Sequence, residues 1–213
     1  MAHPASPPPG QPATDAVAAT KSALRRTLLA DRRRRVRPDR AAAELTTSVL
    51  AVLTGAGLLP VAPARPPLPM ASFIPLPDEP PMAAVNSALL AHGVLLFTPV
   101  TAGEDLRWQP WPAGGTAVPL PPVAALLIPA VAVSRGGDRL GRGGGHYDRL
   151  LAGLPRWQDG GPLRCACVDQ WDVLAHLPRA AHDQPVDVIA TERAPHWVAG
   201  SVRPVSSPPP QPE

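Results

Sequence analysis

The amino-acid sequence predicts an α/β fold: a single-domain, open, mostly parallel sheet with helices on both faces, in three layers (α/β/α). Three observations carry that expectation. Apolar runs of strand length (MASFIPL, VLLFTPV, ALLIPAVAV, LRCACV and VDVIAT) alternate with segments of helical periodicity, the pattern of strand–helix–strand crossovers. ALLIPAVAV and LRCACV are apolar enough for strands covered on both faces. At 213 residues the chain is of a size that closes around one core.

Many of the 32 prolines lie near the two ends, in PASPPPGQP and VRPVSSPPPQPE. Such segments lack the apolar content to offset their ordering entropy, so residues 1–16 and 203–213 are expected to be disordered tails around a domain spanning 17–202. Thr20 is expected to cap a first helix running to about Arg35, with Leu24, Leu28 and Leu29 as its apolar stripe. Lys21 and Arg25, four apart, then share a face. A second helix follows Pro38 and Asp39, with Ala42, Leu45, Val49 and Leu53 toward the core and a stop at Gly55 and Gly57. A proline-rich connector covers Pro60 to Pro69.

MASFIPL, a helix from Met82 to about His92 stopped by Gly93, and VLLFTPV form a crossover unit. A short strand around Leu106 to Trp108 and a loop through Gly114 and Gly115 lead to ALLIPAVAV. After a glycine loop come a helix from Tyr147 to about Leu154, the strand LRCACV and a final strand VDVIAT. No internal repeat is present.

Several function classes are excluded by composition. No run reaches about 18 apolar residues, so no membrane partner is expected. The start of the chain lacks a basic-then-apolar order, and a cytoplasmic location follows. The formal charge of +3 owes much to Arg32–Arg35 with Arg37, which reads as a solvated helix end. With 4% aromatic residues there are few platforms for stacking bases, so no nucleic acid is expected. The protein reads as a monomer whose partners are small molecules. Cys165 and Cys167 alternate along one strand and point to one face, as two buried thiols rather than a metal or redox pair.

Chemistry concentrates in SRGGDRLGRGGGHYDRLL. Gly141, Gly143, Gly144 and Gly145 can take positive φ and let backbone N–H groups close on an anion. Arg139 and Arg142 can fork onto phosphate oxygens, and Asp148 can hold a magnesium ion whose other ligands are phosphates and water. No Gly-Lys-Ser/Thr closes the run as in a P-loop, and the glycines miss the dinucleotide spacing. By composition alone a surface turn and a ligand loop stay equally open.

The order of residue types adds a second argument. RLGRGGGHYDR, Arg139 to Arg149, closely resembles the nucleotide-binding signature RLGxGxGYYDR of the 5-formyltetrahydrofolate cyclo-ligases, also called methenyltetrahydrofolate synthetases. Four weaker elements follow the family's order over residues 20 to 195. KSALR resembles its amino-terminal K-x-x-L-R, FIPLPDEP its strand and acidic loop, DLRW the segment where an aromatic lines the folate pocket, and LPRAAHDQPVDVIAT its P-x-E-x-H-D-x-x-V-D-x-V-x-T segment.

The resemblance implies an ATP-dependent ligase that cyclises 5-formyltetrahydrofolate to 5,10-methenyltetrahydrofolate, through phosphorylation of the formyl oxygen and attack by N10, with ADP and phosphate released. It implies Arg142 and Lys21 as catalytic groups. ATP would be bound by Lys21, Ser22, Ala23, Leu24, Arg25, Arg139, Leu140, Gly141, Arg142, Gly143, Gly144, Gly145, His146 and Tyr147. Ile74, Glu79, Trp108 and Tyr147 would contact the reduced folate, and Asp148 and Asp183 would hold Mg2+.

Read without the resemblance, Lys21 and Arg25 are also ordinary helix charges, Glu79 polarises a turn beside Pro80, and Asp183 and Asp187 flank a strand. Trp108 equally fits a core, and His146 a structural role. Two departures stand out: His146 replaces the family's usual Tyr or Phe, and Ala181 its Glu. They keep a non-catalytic nucleotide- or folate-binding protein as the alternative.

Overall fold

A computed structural model describes residues 11–59, 68–103 and 105–201. Two helices open it, α1 (Gln11–Arg32) and α2 (Ala41–Gly55). They are followed by β1 (Pro69–Ala71), α3 (Met82–Ala91), β2 (Leu95–Ala102), β3 (Asp105–Pro110), β4 (Ala125–Pro129), β5 (Ala132–Ser134) and β6 (Arg139–Leu140). The remainder comprises α4 (His146–Ala152), β7 (Leu163–Cys167), β8 (Val173–Leu174), β9 (Val188–Ala190) and β10 (His196–Trp197), with two short 3-10 turns flanking β7.

Seven strands form the main sheet in the order β10-β9-β7-β4-β1-β2-β3. The five central strands are parallel, and the edge strands β3 and β10 run antiparallel to their neighbours. This is the expected open α/β sheet. Strand alternation sorts the central side chains into two layers. Leu127, Cys165, Cys167, Val188 and Ala190 pack with Leu45, Val49, Leu53, Met82, Val85 and Leu89 of α2 and α3. Leu126, Ile128, Ala166 and Ile189 face the other way, toward Leu151 of α4 and Trp108 of β3. Both cysteines are free and buried on one face as expected, and the Cys167 thiol is pushed well up by its neighbour Cys165 and by burial.

Four local expectations are corrected. First, α1 begins at Gln11 and not after Thr20, whose hydroxyl donates to the Ala16 carbonyl at 2.8 Å inside the helix; residues 11–16, expected in the tail, are helical. Residues 1–10, 60–67 and 202–213, which hold the rest of the expected tails and most of the connector, lie outside the described residues. Second, ALLIPAVAV is not one strand. Pro129 has no N–H to extend the ladder, the Val131 N–H donates to the Leu140 carbonyl at 2.7 Å, and β5 joins a separate three-stranded sheet, β6-β5-β8. Leu28 of α1 packs on that sheet against Val131, Ala132 and Leu140. Third, VDVIAT is not the last strand, since β10 pairs with β9. Fourth, Ala41 rather than Ala42 is the buried alanine of α2.

The arginine cluster is a solvated helix end only in part: Arg33 and Arg34 are exposed as expected, but Arg32, Arg35 and Arg37 are held by carboxylates. Arg32 is 3% exposed. Its Nε donates to Asp172 at 2.9 Å, and one of its two terminal nitrogens donates to the carbonyls of Ala130 and Val131 at 2.6 and 3.0 Å. Arg35 reaches the second Asp172 oxygen at 2.6 Å. These contacts pin the end of α1 to the smaller sheet, which aims its earlier turns across the carboxyl ends of the main strands.

Candidate active site

From β1 the sheet grows in both directions: through α3 to β2 on one side, and to β4, β7 and β9 on the other. The chain therefore reverses direction between β1 and β4, and a crevice opens beyond their carboxyl ends. A cleft of about 510 Å³ lies there. Phe73, Ile74, Leu76 and Glu79 line it after β1, Pro99 and Thr101 come from β2, Leu106 from β3, and Pro129 and Ala130 from the end of β4. The loop after β6 supplies residues 140–145, α4 supplies His146, Tyr147 and Asp148, α1 supplies Ala18, Lys21 and Arg25, and His182 and Asp183 complete the wall with Arg139.

The glycine loop is shaped by conformation and by arginines. Only Gly143 (φ 107°) and Gly145 (φ 68°) adopt the positive φ expected at four positions, a region closed to most other side chains. Gly141 and Gly144 serve another need: a Cβ there would lie 2.8 Å from the Arg139 guanidinium and 2.7 Å from the His146 ring. Arg25 Nε donates to the Gly141 carbonyl at 2.7 Å, and Arg149 to that of Gly144 at 3.0 Å. The later half of α1 is thereby tied to the loop.

Opposite charges meet throughout the cleft. Lys21 donates to both carboxylate oxygens of Asp183. Burial, the largest influence, raises the Asp183 carboxyl, but hydrogen bonds from Lys21 and the Ala180 N–H and the Lys21 charge outweigh it and leave it below the usual range. Arg139 donates to Asp148 Oδ1 at 2.7 Å and lies 5.7 Å from the centre of the Tyr147 ring. Arg142 Nε donates to Glu79 Oε1 at 3.0 Å, and its terminal nitrogen to Asp78 Oδ1 at 2.5 Å. Burial lowers the Arg142 guanidinium, yet those two carboxylates hold it above its ordinary value. Glu79 is 8% exposed, and its other oxygen accepts from the Leu76 N–H at 3.0 Å. The Tyr147 hydroxyl is buried without a hydrogen-bond partner, and burial pushes its pKa far up.

Most residues singled out in the sequence thus share one cleft: Lys21, Arg25, Ile74, Glu79, Arg139, the loop 140–145, His146, Tyr147, Asp148 and Asp183. Four do not. Ala23 is exposed, the Ser22 hydroxyl accepts from Arg26 at 3.3 Å, and Leu24 packs toward the smaller sheet. In a helix only residues three or four apart share a face, so Lys21 and Arg25 reach the cleft and the three residues between them turn away. Trp108 is fully buried under α4, its indole N–H unpaired. Leu106, two residues earlier on the same strand face, lines the cleft in its place. Sequence reading missed Asp78, Thr101, His182 and Leu106. A usable signal existed for Thr101 and Leu106, which flank the turn at the carboxyl end of β2.

Among the described residues no group of three or more His, Cys, Asp or Glu could by itself hold a metal ion, and no helix is long and apolar enough to cross a membrane.

A cleft at the reversal point of an open parallel sheet is the ligand-binding position of the doubly wound α/β class, and this fold is of that class. Within it, the chain belongs to the 5-formyltetrahydrofolate cyclo-ligase family, whose sequence profile matches residues 17–192.

Two solved structures share the fold. A 5,10-methenyltetrahydrofolate synthetase from Mycoplasma pneumoniae is 20% identical with a TM-score of 0.64, covering 81% of this chain and 98% of that one. A 5,10-methenyltetrahydrofolate synthetase from Aquifex aeolicus is 24% identical with a TM-score of 0.63, covering 88% and 96%. Curated 5-formyltetrahydrofolate cyclo-ligases are also similar. That of Mycolicibacterium smegmatis is 32% identical over 102 aligned residues, 38% of this chain and 53% of the relative. That of Haemophilus influenzae is 32% identical over 89, covering 42% and 46%. The chain thus spans about half the length of the curated relatives it matches.

Proposed function

We propose that this protein is an ATP-dependent 5-formyltetrahydrofolate cyclo-ligase, converting 5-formyltetrahydrofolate to 5,10-methenyltetrahydrofolate with release of ADP and phosphate. The observation that carries this reading is the contact of Arg142 in the glycine loop with Glu79 in the loop after β1, because it joins an anion-type loop to a buried carboxylate in one cleft.

Chemical need matches that arrangement. A formamide carbonyl is a poor electrophile and its oxygen a poor leaving group. In this reading the formyl oxygen takes the γ-phosphoryl group of ATP, forming an O–P bond as the bond to ADP breaks. N10 then adds to the activated carbon and loses its proton, the C–O bond breaks, and phosphate departs. Phosphoryl transfer depends mainly on positioning and charge neutralisation. Lys21, Arg25, Arg139 and Arg142 supply the cations, and the backbone of 141–145 supplies a concave surface. Glu79, held by the Leu76 N–H, orients the pterin by hydrogen bonding, and Tyr147 contributes to the cleft wall.

The all-oxygen set of Asp148 and Asp183, on the cleft wall beside the loop, fits a magnesium ion whose remaining ligands would be phosphate oxygens and water. When bound, such an ion would neutralise phosphate charge. Lys21 and Arg139 perform that task for the two carboxylates themselves in this structure.

The test is to mix purified protein with 5-formyltetrahydrofolate, ATP and magnesium and follow methenyl absorbance. ATP-dependent product is expected; no product across varied conditions overturns the enzyme reading.

A further inference from the structure

Arg37 lies outside the cleft, in the turn between α1 and α2, yet it grips the loop that carries Glu79. One terminal nitrogen donates to the Asp78 carbonyl at 2.8 Å. The same guanidinium forks onto Asp169, just past the end of β7, at 2.8–3.1 Å. Asp78 in turn meets Arg142 through its side chain, and Glu79 closes a turn in which its N–H donates to the Leu76 carbonyl at 2.9 Å and its side chain accepts from the Leu76 N–H. The loop between β1 and α3 is therefore held from two sides: by Arg142 from within the cleft, and by Arg37 from behind.

We infer that Arg37, anchored by Asp169, is a positioning residue that sets Glu79 for the reduced folate and leaves ATP binding untouched. The inference rests on the proposed role of Glu79. Its physical basis is the planar guanidinium, which can hold a carboxylate with two parallel bonds and still present an N–H to a backbone carbonyl. A lysine, as a point charge on a flexible stem, cannot do all three. Asp169 is fixed to the main sheet, so the fork transmits the position of β7 to the loop after β1 without passing through the cleft. Arg37 itself has no place in the cleft lining, so a change in catalysis on its substitution must travel through the loop.

The experiment compares wild type, Arg37→Ala, Arg37→Lys, Asp169→Asn and Glu79→Ala, measuring KM for 5-formyltetrahydrofolate, KM for ATP and kcat, with amide hydrogen exchange of Leu76 and Glu79 in the unliganded protein. Arg37→Ala should raise the folate KM by about tenfold, the scale of losing a charge-assisted hydrogen bond, while the ATP KM stays within about twofold. Exchange at both amides should speed up. Arg37→Lys should restore only part of the effect, and Asp169→Asn should resemble Arg37→Ala.

The proposal is overturned if Glu79→Ala raises the folate KM and Arg37→Ala does not, if both KM values rise together, or if exchange in the loop is unchanged in every folded Arg37 and Asp169 variant. Should Arg37→Ala fail to fold, Arg37→Lys and Asp169→Asn decide on the same criteria. A wild type without turnover would instead overturn the proposed function, and the folate role of Arg37 with it.

Discussion

Arg142 and Glu79 both line the cleft and meet at 3.0 Å, Nε to Oε1. One belongs to the glycine loop and the other to the loop after β1, so this contact, with the neighbouring one from Arg142 to Asp78, joins the expected nucleotide and folate sides. Arg142→Ala should lower kcat/KM by about a hundredfold, the scale of losing a preorganised charge donor, with the thermal midpoint little changed. Combined with Glu79→Gln, the two effects should not add, because each substitution already breaks the same contact. Steady-state kinetics of the four proteins check this, and strictly additive losses would separate the two residues.

Lys21 should act on the nucleotide alone. Lys21→Ala is expected to raise the KM for ATP by about tenfold, while folate affinity measured without nucleotide by calorimetry stays unchanged. An equal loss on both ligands would mean that freeing Asp183 disturbs the whole cleft.

The buried arginine anchor predicts a stability effect without a contact to the cleft. Arg32 and Asp172 are paired with both side chains fully buried. Asp172→Ala leaves two arginines facing an empty acceptor and should cost about 3–5 kcal/mol, lowering the thermal midpoint by about 10 °C. Arg33→Ala, on an exposed neighbour, should fall within about 0.5 kcal/mol of wild type. Thermal unfolding of both variants separates an anchor from a solvated charge cluster.

Asp187 gives the pH dependence. Burial, the largest influence, raises its carboxyl above the usual range despite the Arg164 N–H, which donates to it at 2.9 Å, and the charges of Arg156 and Arg164. The folded state therefore binds this proton more tightly than the unfolded chain. Its ionisation costs stability above the raised pKa, and that cost is relieved as the pH falls through it toward the ordinary value of about 3.9. The stability of Asp187→Asn relative to wild type should accordingly be most favourable near neutral pH and shrink toward pH 4. Unfolding curves at several pH values would contradict this if the difference stayed constant.

How much could be read beforehand depended on the range of the interaction. The α2 stripe of Leu45, Val49 and Leu53, the stop at Gly93 and the buried alternation of Cys165 and Cys167 are local patterns, and each stands where expected. Thr20 misled because a hydroxyl that can cap a helix can equally bond back to the carbonyl four residues earlier, as it does to Ala16. Trp108 misled because β3 alternation selects a face but not a depth: Leu106 and Trp108 share that face, but Trp108 is fully buried and only Leu106 lines the cleft.

By itself, the amino-acid sequence determined the alternation of strands and helices, the class of sheet and the presence of a glycine-rich loop before a helix, because periodicity and backbone preference act over a few residues. Tertiary structure alone decided the pairing of charges. Arg32 with Asp172, Arg37 with Asp169 and Asp78, Lys21 with Asp183, and Arg142 with Glu79 are joined across 41 to 162 residues of chain. A charged side chain in sequence looks the same whether water or a carboxylate will face it, and only the closed fold supplies the partner.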